Sequence, residues 1–141
     1  MARYKTYLVP VDFSRGSEIA LRHAVKLARE NNGRLLLVHV VPTIAVYPAE
    51  GSFFDYYGLL EKDAREGFKR LARRLKLGKY RAVLTRGEDT ARTIANQAKK
   101  SRASMIIMGS HGRTGLQRLM LGSVAERTLR YAQCPVLIVK K

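Results

Sequence analysis

Ser104-Met105-Ile106-Ile107-Met108-Gly109-Ser110-His111-Gly112-Arg113-Thr114-Gly115 runs from an apolar stretch straight into a glycine-punctuated turn. The first five residues read as a buried strand. Gly109 and Gly112 then remove side chains from a turn where backbone N–H groups can converge, and Gly122-Ser123 puts a hydroxyl at the start of a helix. Glycine turns and helix N-termini are both anion-binding devices.

Outward from this stretch, strands and helices alternate. Thr6 to Val11 is short and rich in β-formers, and it breaks at Asp12-Phe13-Ser14, where Asp and Ser favour a turn and a helix cap. A helix is expected from Ser14 or Ser17 to about Asn32, with Ala20, Ala24, Leu27 and Ala28 at helical spacing and Asn31-Asn32-Gly33 as its stop. Leu35 to Val41 is nearly continuous in apolar residues, as a strand covered on both faces of a parallel sheet would be.

Pro42 to Gly58 holds two prolines, two glycines and five aromatics without a period, and reads as a long loop. Leu59 to Leu77 is an amphipathic helix: Leu60, Ala64, Phe68, Leu71 and Leu75 form its stripe, and Lys and Arg take most of the rest. Tyr80 to Thr85 is a third strand. A helix over Ala91, Ile94, Ala95 and Ala98 follows, with acidic residues in its first turn and Lys99, Lys100 and Arg102 in its last. The final helix opens at Gly122-Ser123 and runs to about Ala132, and Val136 to Val139 is a fifth strand. The order βαβαβαβαβ predicts a single α/β domain over residues 1–141, an open five-stranded parallel sheet with helices on both faces.

Composition narrows the function classes. The 141 residues include 27 Lys+Arg against 11 Asp+Glu, a formal net charge of +16. With 46% hydrophobic residues the chain has ordinary globular content, so its charge is biased in sign rather than dense. The lone Cys134 forms no internal disulfide, which favours a reducing compartment, and Cys134 itself reads as a small buried filler. No run approaches the roughly 18 apolar residues of a membrane span, and Met1 to Lys5 leads into a strand without a signal-peptide pattern. The expected compartment is the cytoplasm. The positive charge admits nucleic acid, an anionic surface or a small polyphosphate as partner.

Open parallel sheets bind ligands beyond the carboxyl ends of their strands, where strand order reverses. There the sequence carries Pro10-Val11-Asp12, His39-Val40-Val41 and Met108 to Gly112. The glycines are spaced G-x2-G-x9-G-S, with neither the G-x4-G-K-[ST] of a Walker loop nor the G-x-G-x-x-G of a dinucleotide fingerprint. The chain resembles the nucleotide-binding members of the universal stress protein family. The resemblance rests on Val9 to Ser14, Leu37-Val38-His39-Val40, Met108 to Gly112, Gly122-Ser123-Val124-Ala125-Glu126 and Cys134 to Val139, and it covers essentially the whole chain.

What the resemblance implies is a Rossmann-like, adenine nucleotide alpha hydrolase-like fold holding ATP. Pro10, Val11, Asp12 and Val40 would line the adenine and ribose, Met108, Gly109 and Gly112 would pass the ribose and α-phosphate, and Gly122, Ser123 and Val124 would meet the β- and γ-phosphates. Mg²⁺ or Mn²⁺ would be held mainly by phosphate oxygens and water, with Asp12 as the acidic neighbour. The resemblance also implies a homodimer through the edge strand 136–139. No protein-built metal site is expected from His23, His39 and His111, which lack zinc-helix spacing.

Several residues admit a plainer role. Asp12 stands as a helix cap, a ribose contact or both, and His111 as a phosphate neighbour or an exposed loop side chain. Ser110-His111 is not expected to form a nucleophile–base pair, because the G-x-S-x-G elbow is absent and adjacent turn residues rarely face each other. The aromatics from Tyr47 to Tyr57 would tuck onto the core, cover the nucleotide or contact a partner chain. AMP or a cyclic nucleotide is the alternative ligand, and catalysis would be at most a slow ATPase. A nucleic-acid module is a further alternative, but Glu18–Arg22, Glu61–Arg65, Glu66–Arg70 and Glu126–Arg130 are spaced to pair along helices, and no RNA- or DNA-binding signature occurs. Salt-dependent, non-specific binding follows from the charge; specific recognition is not expected.

Overall fold

Leu35, Leu36, Leu37 and Val38 are all buried, and four consecutive buried residues on a strand need cover on both faces. The computed structural model, which describes residues 5–43, 55–111 and 120–140, supplies it. The elements are β1 (Thr6–Pro10), α1 (Arg15–Glu30), β2 (Arg34–Pro42), α2 (Tyr56–Arg74), β3 (Tyr80–Gly87), α3 (Thr90–Ser101), β4 (Met105–Gly109), α4 (Ser123–Tyr131) and β5 (Val136–Val139). The five strands form one sheet in the order β3-β2-β1-β4-β5, every pair parallel. The predicted α/β architecture is the observed one.

Strand alternation divides the core in two. Tyr7, Val9, Leu35, Leu37, Ile107 and Val139 face Ala20, Leu21, Ala24 and Ala28 of α1 and Phe68 and Leu71 of α2. Leu8, Leu36, Val38, Val40, Ile106 and Met108 face Ile94 and Ala98 of α3 and Ala125 of α4. Cys134 packs half-buried against this second cluster, and burial pushes its thiol pKa up.

Side-chain caps set where the helices begin. Ser14 caps α1, its Oγ accepting from the Ser17 N–H at 3.3 Å. Asp55 caps α2 by accepting from the Gly58 N–H at 2.9 Å. That cap starts α2 at Tyr56 instead of Leu59, so Tyr56, Tyr57 and Gly58 are helical, not loop as their composition suggested. Tyr47, Phe53 and Phe54 lie outside the described residues. Asp89 is the cap of α3, accepting from the Arg92 N–H at 3.2 Å, and no acidic residue stands in that helix's first turn, where acidic residues were expected.

Three of the four anticipated helical ion pairs form, at 3.1 Å for Glu18–Arg22, 3.9 Å for Glu66–Arg70 and 2.8 Å for Glu126–Arg130. Glu61 instead reaches Arg86 of β3 at 2.6 Å, where the Arg86 guanidinium also lies 4.8 Å over the Tyr57 ring. A partner from another element, held by an aromatic face, displaces the sequence-local one. Such exposed pairs contribute about 0–1 kcal/mol each, so the helices are held chiefly by burial. Leu37 is fully buried on the interior strand β2. Leu37→Ala is expected to cost about 2–5 kcal/mol, read as a lower denaturant midpoint with an unchanged m-value.

Candidate functional site

Strand order reverses between β1 and β4, and there the sheet opens. β1 pairs with β2 along its full length, as far as Pro10 opposite Val38. With β4 it pairs only at Tyr7–Met105 and Leu8–Ile106. Beyond those two positions the carboxyl ends of β1 and β4 are no longer ladder partners, which leaves a crevice at the topological switch point.

One wall is the β1–α1 turn. The Val11 N–H donates to the Val38 carbonyl at 2.8 Å, and the Val11 carbonyl lies 2.6 Å from His39 Nδ1. A carbonyl can only accept, so that ring nitrogen carries the proton. Val11 is 2% exposed, and with its N–H already engaged it offers a ligand no backbone donor. Asp12 turns back through its Oδ1, which accepts from the Ser14 N–H at 2.9 Å. The helix cap is therefore Ser14, and Asp12 shapes the turn that delivers it.

Phe13, next in the chain, has φ 64°, a left-handed conformation that costs a non-glycine residue about 1–2 kcal/mol. Its ring is held at 5.0 Å from His39 and 5.5 Å from Phe68. Gly67 makes room, since a Cβ there would stand 2.7 Å from that ring.

The opposite wall is backbone against backbone. A Cβ on Gly109 would lie 2.9 Å from the Gly16 carbonyl group, and one on Gly16 would lie 2.6 Å from the His111 carbonyl oxygen. A Cβ on Gly122 would stand 2.8 Å from the Ser110 carbonyl oxygen, which accepts from the Gly122 N–H at 2.7 Å. Gly109 and Gly122, singled out for anion binding, thus also have a packing reason to lack side chains. Gly16 escaped the sequence reading. Its signal was a glycine in a helical first turn, which is unfavourable by roughly 1 kcal/mol relative to Ala and so needs a reason.

Gly122 is the N-cap of α4 and provides no side-chain hydrogen bond, so among the described residues the amides of the first turn have no side-chain acceptor; Ser123 and Val124 are exposed. Pro10 ends β1 opposite Val38, Val40 lies two residues further along β2 opposite Thr85 of β3, and Met108 points to the α3–α4 side. Gly112, Arg113 and Arg118 lie outside the described residues.

Ser110 Oγ lies 3.0 Å from His111 Nδ1. The two adjacent side chains do face each other, contrary to expectation. Ser110 is only 8% exposed, and no carboxylate bonds to His111 among the described residues, so the pair lacks the access and the orienting acid of a nucleophilic site. Among the described residues, His111 Nε2 is buried without a hydrogen-bond partner.

Other features lie apart from the crevice. Asp89 pairs with Arg127 of α4, and Arg92 stacks 4.3 Å over Tyr131. Desolvation acts to raise the Asp89 pKa, but the Arg92 amide and the Arg127 guanidinium outweigh it and hold the carboxyl below its usual value. A groove of about 440 Å³ lined by Arg22, Val25, Lys26, Arg29, Glu30 and Leu75, and one of about 170 Å³ beside Phe13, Ser14 and Arg74, contain none of the predicted site residues. Among the described residues, no three His, Cys, Asp or Glu side chains gather as a metal site, and no helix is long and apolar enough to cross a membrane.

A five-stranded parallel sheet covered on both faces and parting at its switch point defines an α/β protein of the open, doubly wound class. The model of the universal stress protein family matches residues 3–140, and the chain belongs to that family. It is 37% identical to a universal stress protein of Methanocaldococcus jannaschii over 98% of this chain and 83% of the relative. A solved structure of a hypothetical protein whose biochemical function was assigned from its structure superposes with a TM-score of 0.85 at 30% identity, covering 99% and 98% of the two chains. Two further universal stress protein structures share the fold with TM-scores of 0.68: one in complex with cAMP, at 21% identity over 99% and 98% of the chains, and one from Archaeoglobus fulgidus in complex with dAMP, at 22% over 99% and 100%.

Substituting Ala for Gly109 or Gly122 should cost about 1–3 kcal/mol each, since a methyl would meet backbone that has little freedom to move. Gly78→Ala, where no atom lies within 4 Å of the added carbon, should stay within about 0.5 kcal/mol. Urea unfolding of the three variants checks this, and equal effects would contradict it.

Proposed function

We propose that the protein binds ATP in the strand-end crevice and acts in the cytoplasm as a nucleotide-dependent switch in a stress response. The observation that carries this reading is the parting of β1 and β4 beside the first turn of α4, whose N-cap is Gly122 and whose amides no side chain caps among the described residues. Free amides aligned with a helix dipole favour a phosphate over a neutral group.

In this reading the adenine and ribose rest against Pro10, Val11, Asp12 and Val40. Because the Val11 N–H already serves Val38, adenine recognition there falls to carbonyl lone pairs and shape. Met108, Gly109 and Gly112 pass the ribose and α-phosphate, and Gly122, Ser123 and Val124 meet the terminal phosphates. Mg²⁺ or Mn²⁺ would neutralise phosphate charge, held mainly by phosphate oxygens and water, with Asp12 the nearby carboxylate. Hydrolysis is slow at most, since among the described residues no carboxylate beyond Asp12 stands at the crevice to orient a water. AMP or a cyclic nucleotide in the same crevice is the second reading, supported by relatives of this fold that hold dAMP and cAMP.

A homodimer fits the same reading. β5 pairs with β4 on one side only, and its Leu137 is 37% exposed; an apolar edge invites pairing with another chain. Leu137→Lys is expected to shift the protein to monomer in light scattering, and an unchanged mass would remove this edge as the interface.

Calorimetry should find ATP bound with a micromolar Kd, about −8 kcal/mol, and Ser123→Ala should weaken it about 3- to 10-fold through one lost hydrogen bond. A purified protein that carries no nucleotide by mass spectrometry and shows no thermal shift with ATP and Mg²⁺ would overturn the reading.

A further inference from the structure

Two helices cover each face of the sheet, and the two faces are closed differently. α3 and α4 pack against each other over one core, while α1 and α2, side by side over the other, make little contact. Along the seam between them lie the two grooves that the nucleotide reading leaves unused. The smaller, of about 170 Å³, runs beside Ser14 to Glu18, and the larger, of about 440 Å³, beside Arg22 to Glu30. Together they accompany the 16 residues of α1, roughly 24 Å of helix at 1.5 Å per residue. Arg74 of α2 bridges their junction by pairing with Glu18, which also holds Arg22 at 3.1 Å.

The lining of the larger groove says what fits it. Val25 and Leu75, half-buried and packed on the core beneath, give it apolar surface. Its rim carries Arg22, Lys26 and Arg29 against Glu30 alone. Glu30 reaches Lys26 at 4.0 Å, and Arg29 makes no ion pair among the described residues. A small ligand needs walls that bury most of its surface, whereas this rim is made of exposed side chains. A nucleic-acid backbone gains nothing from Val25 and Leu75 and is repelled by Glu18 and Glu30. A second copy of the chain, with a net charge of +16, brings more of the same sign. What remains is a segment that is apolar on one stripe and acidic on both flanks.

We propose that the seam between α1 and α2 is the docking surface for an acidic amphipathic helix of a partner protein. Its apolar side chains, at helical i, i+3 or i+4 and i+7 spacing, lie over Val25 and Leu75, and Glu or Asp on its flanks meets Arg22, Lys26 and Arg29. The long cationic stems extend the apolar cover while their heads reach the carboxylates. The positive field of the whole chain steers such a partner toward the groove. None of the residues assigned to the nucleotide lines either groove, so this inference stands apart from that reading.

The test uses the full chain and a fluorescent peptide of about 16 residues, the length of the seam, with Leu at the helical spacing above and Glu at most other positions. A scrambled peptide of the same composition and a single-stranded oligonucleotide of equal charge serve as comparisons. Binding is read by anisotropy at about 0.15 M salt, where a Debye length of about 8 Å screens distant charge. The patterned peptide is expected to bind about tenfold more tightly than the scrambled one, because only it buries its leucines together. It should also move the backbone amide NMR signals of residues 22–30 and 71–76. Lys26→Glu combined with Arg29→Glu should weaken the peptide about tenfold, each reversal replacing an attraction by a repulsion. Lys99→Glu with Lys100→Glu makes the same change in net charge on α3, across the sheet, and should weaken it less than about twofold. Equal weakening by the two pairs, equal binding of the scrambled peptide, signals that move only elsewhere, or no peptide binding overturns the inference. An oligonucleotide that binds more tightly than the peptide and is lost with Lys26→Glu and Arg29→Glu overturns it in favour of a nucleic-acid surface. The amide titration of the unsubstituted protein decides between these outcomes even if a variant fails to fold.

Discussion

The carboxyl end of β4 lies against the first turn of α1 with no room for a Cβ on either side, Gly109 against Gly16 and Gly16 against His111. Much of the rest depends on that contact. Gly109 lets the strand finish against a helix backbone, so Ser110 emerges where its amide reaches Val139 and its carbonyl reaches Gly122. Through those two bonds β4, β5 and the start of α4 become one rigid corner. An interior packed to crystal-like density transmits such a constraint instead of absorbing it. The first turn of α4 therefore stands beside the crevice by construction, with no side chain needed to hold it there.

A second brace acts from the other side. His39 ties β2 to the end of β1 through Val11, and its ring backs Phe13, whose left-handed backbone is unfavourable on its own. Phe68 and the side-chain-free surface of Gly67 complete the clamp. Strained residues persist where their surroundings over-determine them, and this one sits at the turn that carries Asp12 past the switch point. The two walls are thus built differently: one from aromatic rings over a strained turn, the other from glycine backbones in contact.

Much of this was legible in the residue order. Runs such as Leu35 to Val41 and Ile106 to Met108 announce buried parallel strands because both faces must be apolar, and Ala20, Ala24 and Ala28 mark the buried side of α1 through a period that only a helix satisfies. The glycines after β4 were visible too, although their spacing pointed to anion binding and said nothing of the packing they also serve. One local cap and the features that join distant segments were hidden. The Asp55 cap sits inside an aromatic-rich stretch that masks it, Glu61 finds Arg86 instead of the arginine four residues on, and Gly16 matters only because His111 and Gly109 come to lie on it.

Sequence alone determined the class of fold, the family and the segments that meet at the switch point, because periodicity and glycine placement are local properties that the chain carries into any tertiary context. Only the tertiary structure decided that Val11 has its N–H already engaged, that Ser14 and not Asp12 caps α1, and that Ser110 orients the His111 ring. The Val11–Val38 bond exists only once the sheet brings its strands into register, and the other two turn on which of several near neighbours a side chain reaches, a matter of a few ångströms of backbone geometry that residue order does not give.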